Sequence, residues 1–173
     1  MGVFEGKFPQ WAYLIGYNAI SALLWSLVFT RTALTVLIDG PERVYPAVRV
    51  LVLFTQSMAT LEVVHAILGL VQAPVSTTLM QVVGRSIVLW MIIEAYPFAA
   101  LSPFYASMVL AWSAADVLWY SYFSVQLVGG HQYRKFMSTQ HTACYLLYPI
   151  GIFSGTVLGS TTVARHLSVE AHG

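Results

Sequence analysis

The sequence predicts an all-α fold, a multi-pass membrane helix bundle with five transmembrane helices, and three observations carry that expectation. Of the 173 residues, 58% are hydrophobic and only 9% are charged, whereas a water-soluble domain carries about 25% charged residues. The apolar residues gather into five runs separated by short polar breaks. Each run is long enough to cross about 30 Å of hydrocarbon as a helix rising about 1.5 Å per residue. Helix rather than open strand follows from the medium, because lipid offers no partner to a bare backbone N–H or C=O.

The first span is read as residues 11–29, opened by Trp11 and Tyr13 and followed by Arg31, which can snorkel to the interface. Asp39-Gly40-Pro41-Glu42-Arg43 forms a polar break. The second span covers 48–71 and stops at Gln72-Ala73-Pro74, and the third covers 78–99. The fourth, 103–128, ends at Gly129-Gly130; Tyr133-Arg134-Lys135 then lead into the fifth, 136–163. The tail from Ala164 is too short and polar to cross again. Trp112, Trp119, Tyr120 and Tyr122 read in part as interfacial aromatics. With no internal repeat and no low-complexity segment, residues 1–173 form a single domain.

An odd number of spans puts the two termini on opposite faces. Lys7, Arg134 and Lys135 fall on one side and Arg31, Arg43 and Arg165 on the other, so charge leaves the orientation open. The net charge of +1 and the scattered basic residues argue against nucleic acid as a partner. Cys144 is the only cysteine, so no internal disulfide forms. The first apolar run is too long for a signal-peptide core and no small-residue cleavage site closes it.

Ionisable groups inside the spans are the main clue to function, because a charge at bilayer depth is costly and marks an internal site or a structural pair. They are Glu62, His65, Arg85, Glu94, Asp116 and His141. Glu62, His65 and Gly69 share one helix face, as do Gln81 and Arg85. Asp116 stands one turn after Trp112 and one turn before Tyr120. In the fifth span, His141, Tyr145, Tyr148, Ile152 and Gly155 form a stripe. On the structural reading Glu62 pairs with Arg85 to join two helices, with His65 hydrogen-bonded nearby. On the functional reading Glu62, His65, Gln81, Arg85 and Tyr120 line a polar pocket. Glu62-x-x-His65 supplies two metal ligands, but no second Glu-x-x-His completes a four-helix carboxylate site, so no metal and no cofactor are expected. Gly69, Gly84, Gly151 and Gly155 are candidates for close helix approach.

Five segments in register resemble the very-long-chain 3-hydroxyacyl-CoA dehydratases, also named protein tyrosine phosphatase-like proteins. They are Tyr13-Leu14-x-x-Tyr17-Asn18 with Trp25; Leu61-Glu62-Val63-Val64-His65-Ala66-x-x-Gly69-x-Val71; Gln81-Val82-x-x-Arg85 with Trp90; Trp112-Ser113 with Tyr120; and Leu147-Tyr148-Pro149-Ile150-Gly151. The older phosphatase name finds no support, since six residues after Cys144 stands Ile150, not the arginine of a Cys-x5-Arg loop. The resemblance implies loss of water from a 3-hydroxyacyl-CoA during fatty-acid elongation in the endoplasmic reticulum membrane. It also implies an acid–base pair in the fifth span, a tyrosine and a glutamate seven residues later. Tyr148 matches the tyrosine; the glutamate position is Gly155. Where the family has Glu-x-x-Arg-Tyr, this chain reads Asp116-Val117-Leu118-Trp119-Tyr120, and the family resembles a six-span protein where five are read here.

Two functional expectations follow. One is a dehydratase-like scaffold that has lost the reaction and serves as a structural or lipid-binding subunit of a membrane complex, with a partner helix covering its open face. Its partners would be membrane lipids or acyl-CoA and other membrane subunits, in the endoplasmic reticulum, or in the mitochondrial inner membrane for a respiratory or ATP synthase complex. The other is an active dehydratase in which Asp116 replaces the missing glutamate beside Tyr148.

Overall fold

The computed structural model describes the backbone of residues 8–71, 73–128 and 133–170, and all the regular structure there is helical. Helix α1 spans Phe8–Ile38, nine residues beyond the end expected at 29. Thr30, Arg31 and Thr32 look like a polar stop. Two nearby threonine hydroxyls instead fold back on their own helix, Thr30 Oγ1 donating to the Ser26 carbonyl and Thr35 Oγ1 to that of Arg31, both at 2.8 Å. The helix ends at Gly40, whose φ of 94° suits glycine, with both the Asp39 and Gly40 N–H groups on the Thr35 carbonyl.

A single 3-10 turn, Pro41–Arg43, carries the chain into α2, Val44–Met58. After a one-residue irregularity at Ala59, α3 continues over Thr60–Ile67. The span thus starts and stops about four residues earlier than the expected 48–71. Gly69 is the reason for the early stop: it takes φ 66° and lets the Leu70 N–H reach the His65 carbonyl at 2.9 Å. Its expected role in close helix approach is therefore corrected to that of a terminating glycine.

Helix α4, Val75–Ser86, begins after extended Pro74 and runs without a break into a π-helical segment, Ile87–Ile93. The expected end at 99 is moved back to 93, since Pro97 offers no N–H to a continuing helix, and a 3-10 turn at Ala99–Leu101 follows. Helix α5, Pro103–Val128, has the limits read from the sequence, with proline at its first position. Helix α6, Tyr133–Glu170, starts earlier and ends later than the expected 136–163, and holds Pro149 in its interior.

Among the described residues, four segments are long and apolar enough to cross a membrane: Gln10–Ile38, Pro41–Ile67, Val75–Ile93 and Leu147–Arg165. Helix α5 is as long as these but less apolar. It packs against both α1 and α6, so its side chains meet protein where those of the outer helices meet lipid. Tyr105, Met108, Val109 and Tyr120 on α5 are buried together with Trp25 and Val28 of α1, Val48 and Val52 of α2 and Leu158 of α6. The outward faces carry large exposed apolar side chains such as Leu23, Leu37, Val50 and Met91, a surface that fits hydrocarbon rather than water.

Trp11 Nε1 donates to the Leu127 carbonyl at 2.7 Å, which sets the start of α1 beside the end of α5. The Arg165 guanidinium lies over the Phe98 ring, just ahead of α5, so α6 finishes at the other end of the bundle.

Candidate functional site

The polar interior is organised by one stripe on α5: Trp112, Asp116 and Tyr120, four residues apart and on one face. Arg85, from the end of α4, meets the first two. Its Nη1 donates to Asp116 Oδ1 at 3.0 Å and its Nη2 to Oδ2 at 2.7 Å. This bidentate fork gives both charge and direction. The guanidinium carbon lies 4.9 Å from the Trp25 ring centre and 4.7 Å from that of Trp112, within the range at which an indole attracts a cation. Arg85 is thus held by one carboxylate and two rings, and only its Nε is buried without a partner.

The expected Glu62–Arg85 pair does not form. Arg85 takes Asp116, and Glu62 instead accepts a hydrogen bond from the Tyr120 hydroxyl. The α5 stripe explains the exchange, since it sets a carboxylate under Arg85 and, one turn on, a phenol against α3. His65, one turn after Glu62, is buried, with Nε2 2.8 Å from the Tyr13 hydroxyl. The Tyr17 ring packs edge-on between His65, at 4.7 Å, and Tyr120, at 6.2 Å. The Tyr17 hydroxyl donates to the Met58 carbonyl at 3.2 Å, over the irregular turn between α2 and α3.

Of the residues singled out in the sequence, Glu62, His65 and Tyr120 are thus drawn into a chain of contacts with Tyr13 and Tyr17, and Arg85 and Asp116 form a second group with Trp25 and Trp112. Gln81 is exposed on α4, one turn before Arg85, and stands outside that chain. Trp112 and Tyr120, read in part as interfacial aromatics, are interior groups instead. Glu94 has a partner the sequence did not suggest: Arg49 of α2 grips both its oxygens and the Tyr45 hydroxyl donates to Oε1 at 3.0 Å. Among the described residues no group of three or more His, Cys, Asp or Glu side chains could hold a metal ion.

Helix α6 brings the last elements. His141, Cys144 and Tyr145 lie outside the residues whose side chains are described. Tyr148 is about one-third exposed (37%), and Gly151 and Gly155 follow it on the same face at three and seven residues. A Cβ at Gly151 would stand 2.7 Å from Trp112 Cδ1 and Nε1, so here the missing side chain does permit close approach. A Cβ at Gly155 would stand 3.6 Å from Met108 Sδ, an ordinary contact, and one at Gly84 would meet nothing within 4 Å. Neighbouring Ser154 is buried, 2.9 Å from Ser107 of α5. Trp112 thus meets the Arg85 guanidinium of α4 and the Gly151 backbone of α6 at once.

These features define a class: a helical membrane protein whose spans are held in register by internal ion pairs and tyrosine hydrogen bonds. The particular family follows from comparison with known proteins. The family model described as "Protein tyrosine phosphatase-like protein, PTPLA" matches residues 56–170, and the chain belongs to that family.

It is 34% identical over 148 residues to the very-long-chain (3R)-3-hydroxyacyl-CoA dehydratase hpo-8 of Caenorhabditis elegans, an alignment covering 84% of this chain and 67% of that protein. It is 35% identical over 151 residues to a probable dehydratase of the same name in Schizosaccharomyces pombe, covering 84% and 71%. With the human very-long-chain (3R)-3-hydroxyacyl-CoA dehydratase 2, identity is 26% over 148 residues, covering 85% and 58%. The chain spans about two thirds of the length of such curated relatives. No solved structure matches it.

Proposed function

We propose that this protein is a dehydratase-like membrane scaffold that does not dehydrate 3-hydroxyacyl-CoA and serves as a structural or lipid-binding subunit of a membrane complex. The observation that carries the proposal is the pairing of Gly155 with an occupied Asp116. Dehydration needs one group to take the proton beside the thioester and another to protonate the leaving hydroxyl. Tyr148 offers one such group. Seven residues on, where the family resemblance expects the carboxylate, Gly155 has no proton to give or accept.

Asp116 is the nearest chemical substitute in sequence terms, yet both its oxygens are taken by Arg85. A working base must come within about 3 Å of its proton, directly or through one water. Recruiting Asp116 would mean breaking a bidentate pair flanked by two indoles. Losing one positioned proton-transfer group costs about 10²–10⁴-fold in rate, enough to leave the tyrosine alone ineffective. The relatives' names point to long acyl chains as the ligand class, and the family resemblance to the endoplasmic reticulum as the membrane.

The test offers the purified full chain, in lipid nanodiscs, a long-chain 3-hydroxyacyl-CoA and follows enoyl-CoA formation. No turnover is expected from the natural sequence. Gly155→Glu is expected to produce turnover that Tyr148→Phe removes, since the first carbon of the new side chain meets only ordinary contact with Met108. Turnover by the natural chain that disappears in Tyr148→Phe would overturn the proposal and restore an active enzyme in which Asp116 is the second group.

A further inference from the structure

Away from the α5 stripe, a groove of about 360 Å³ runs along the outer face between α1 and α2, lined by Arg31, Pro46, Ala47, Val50, Leu51 and Phe54. Arg31 is its only charged wall and the other five side chains offer no hydrogen-bond acceptor. Three other arginines have partners within the protein: Arg49 meets Glu94, Arg85 meets Asp116 and Arg165 lies over the Phe98 ring. Among the described residues Arg31 has no carboxylate within ion-pair distance. A guanidinium on a lipid-facing helix is costly without a counter-anion, and its planar fork suits phosphate.

Depth and shape point to the source of that anion. Arg31 lies seven residues before the end of α1 at Ile38, about 10 Å below it at 1.5 Å per residue. From there a long side chain snorkels to the headgroup layer. Below it the groove is floored by α2 side chains at i, i+4 and i+8, with Val50 77% and Phe54 54% exposed, a strip along which an acyl chain can lie. A water-soluble phosphate would gain nothing from that floor.

We propose that this groove binds one phospholipid, its phosphate on the Arg31 guanidinium and one acyl chain along Val50 and Phe54. The site is independent of whether the α5–α6 face turns over a substrate.

The experiment is native mass spectrometry of the full chain released from nanodiscs of phosphatidylcholine with about one fifth phosphatidylglycerol. One retained phospholipid per chain is expected. Arg31→Gln should lower its occupancy at least about ten-fold, as expected for loss of a charge-assisted hydrogen bond. Val50→Trp, which fills the groove and leaves the charge, should lower it as well, and Arg31→Lys should retain part of it. Lipid retention in Arg31→Gln and Val50→Trp equal to that of the natural chain would overturn the proposal. So would displacement of the bound species by millimolar inorganic phosphate, or a stoichiometric membrane protein co-purifying through this groove and lost in Val50→Trp. If Arg31→Gln does not fold, Val50→Trp alone decides.

Discussion

Breaking the Arg85–Asp116 pair should cost far more than its two side chains contribute as a unit. Asp116→Asn keeps the shape and removes the charge, leaving the Arg85 guanidinium between two indoles with no carboxylate bonded to it. Removing one partner of a buried ion pair costs about 3–5 kcal/mol. The cation–π contacts, worth about 0.5–2 kcal/mol each depending on desolvation, survive in Asp116→Asn and are lost in Arg85→Met. Arg85→Met therefore loses those contacts and leaves a bare carboxylate, and it should be at least as destabilising. The double variant Arg85→Met/Asp116→Asn has no buried charge left to desolvate, so it should fall well short of the sum of the two single variants. We expect a coupling of about 2–3 kcal/mol, near the top of what contacting residues show. The assay is reversible unfolding in bicelles, titrated with denaturing detergent and followed by Trp fluorescence. Single variants each within about 1 kcal/mol of the natural chain, or additive effects in the double variant, would refute the account of this pair as the central fastening of α4 to α5.

Two further predictions concern packing and surface charge. Gly151→Ala should cost about 1–3 kcal/mol, since its Cβ would stand 2.7 Å from Trp112. Gly155→Ala should be neutral or stabilising by up to about 1 kcal/mol, because its Cβ has ordinary room and alanine favours helix; comparing the two by the same unfolding assay checks the contrast. Arg49→Gln breaks a pair whose arginine is half exposed, so it should cost at most about 1 kcal/mol and less as salt rises, read from unfolding midpoints at low and high ionic strength.

The helix bodies were legible in the sequence because lipid leaves little choice: an apolar run of this length either spans or stays out. Ends were less legible. Thr30-Arg31-Thr32 reads as a polar stop, yet a hydroxyl such as that of Thr30, which bonds back to the preceding turn, satisfies itself inside a helix. Gly69 sits on the Glu62–His65 face by simple spacing, and only its positive φ reveals that the helix has already closed. On α5 the spacing of Trp112, Asp116 and Tyr120 was legible as one stripe. Which helix meets that stripe was not, since periodicity fixes the face of one helix and says nothing of its neighbours.

Glu94 shows a different limit. Nine residues separate it from Arg85, two and a half turns of a regular α-helix, which would point the two side chains opposite ways. The π segment between them, closed by the Glu94 N–H on the Leu89 carbonyl, changes that phase. Nothing in Ile87-Val88-Leu89-Trp90-Met91-Ile92-Ile93 announces it.

The interior polar contacts also explain how such a fold can stand apart from the chemistry its relatives are named for. Lipid tails solvate an apolar helix face about as well as another helix does, so polar bonds and close backbone packing settle which helices become neighbours. Here each link joins a different pair: Tyr13 to His65 ties α1 to α3, Glu62 to Tyr120 ties α3 to α5, Arg85 to Asp116 ties α4 to α5, and Gly151 against Trp112 ties α5 to α6. Gly155 belongs to none of these links. On the proposed reading, a carboxylate added at that position would change the chemistry of the α5–α6 face while these fastenings stay in place. Asp116 is the reverse case, since drawing it toward catalysis would undo the fastening on which α4 depends.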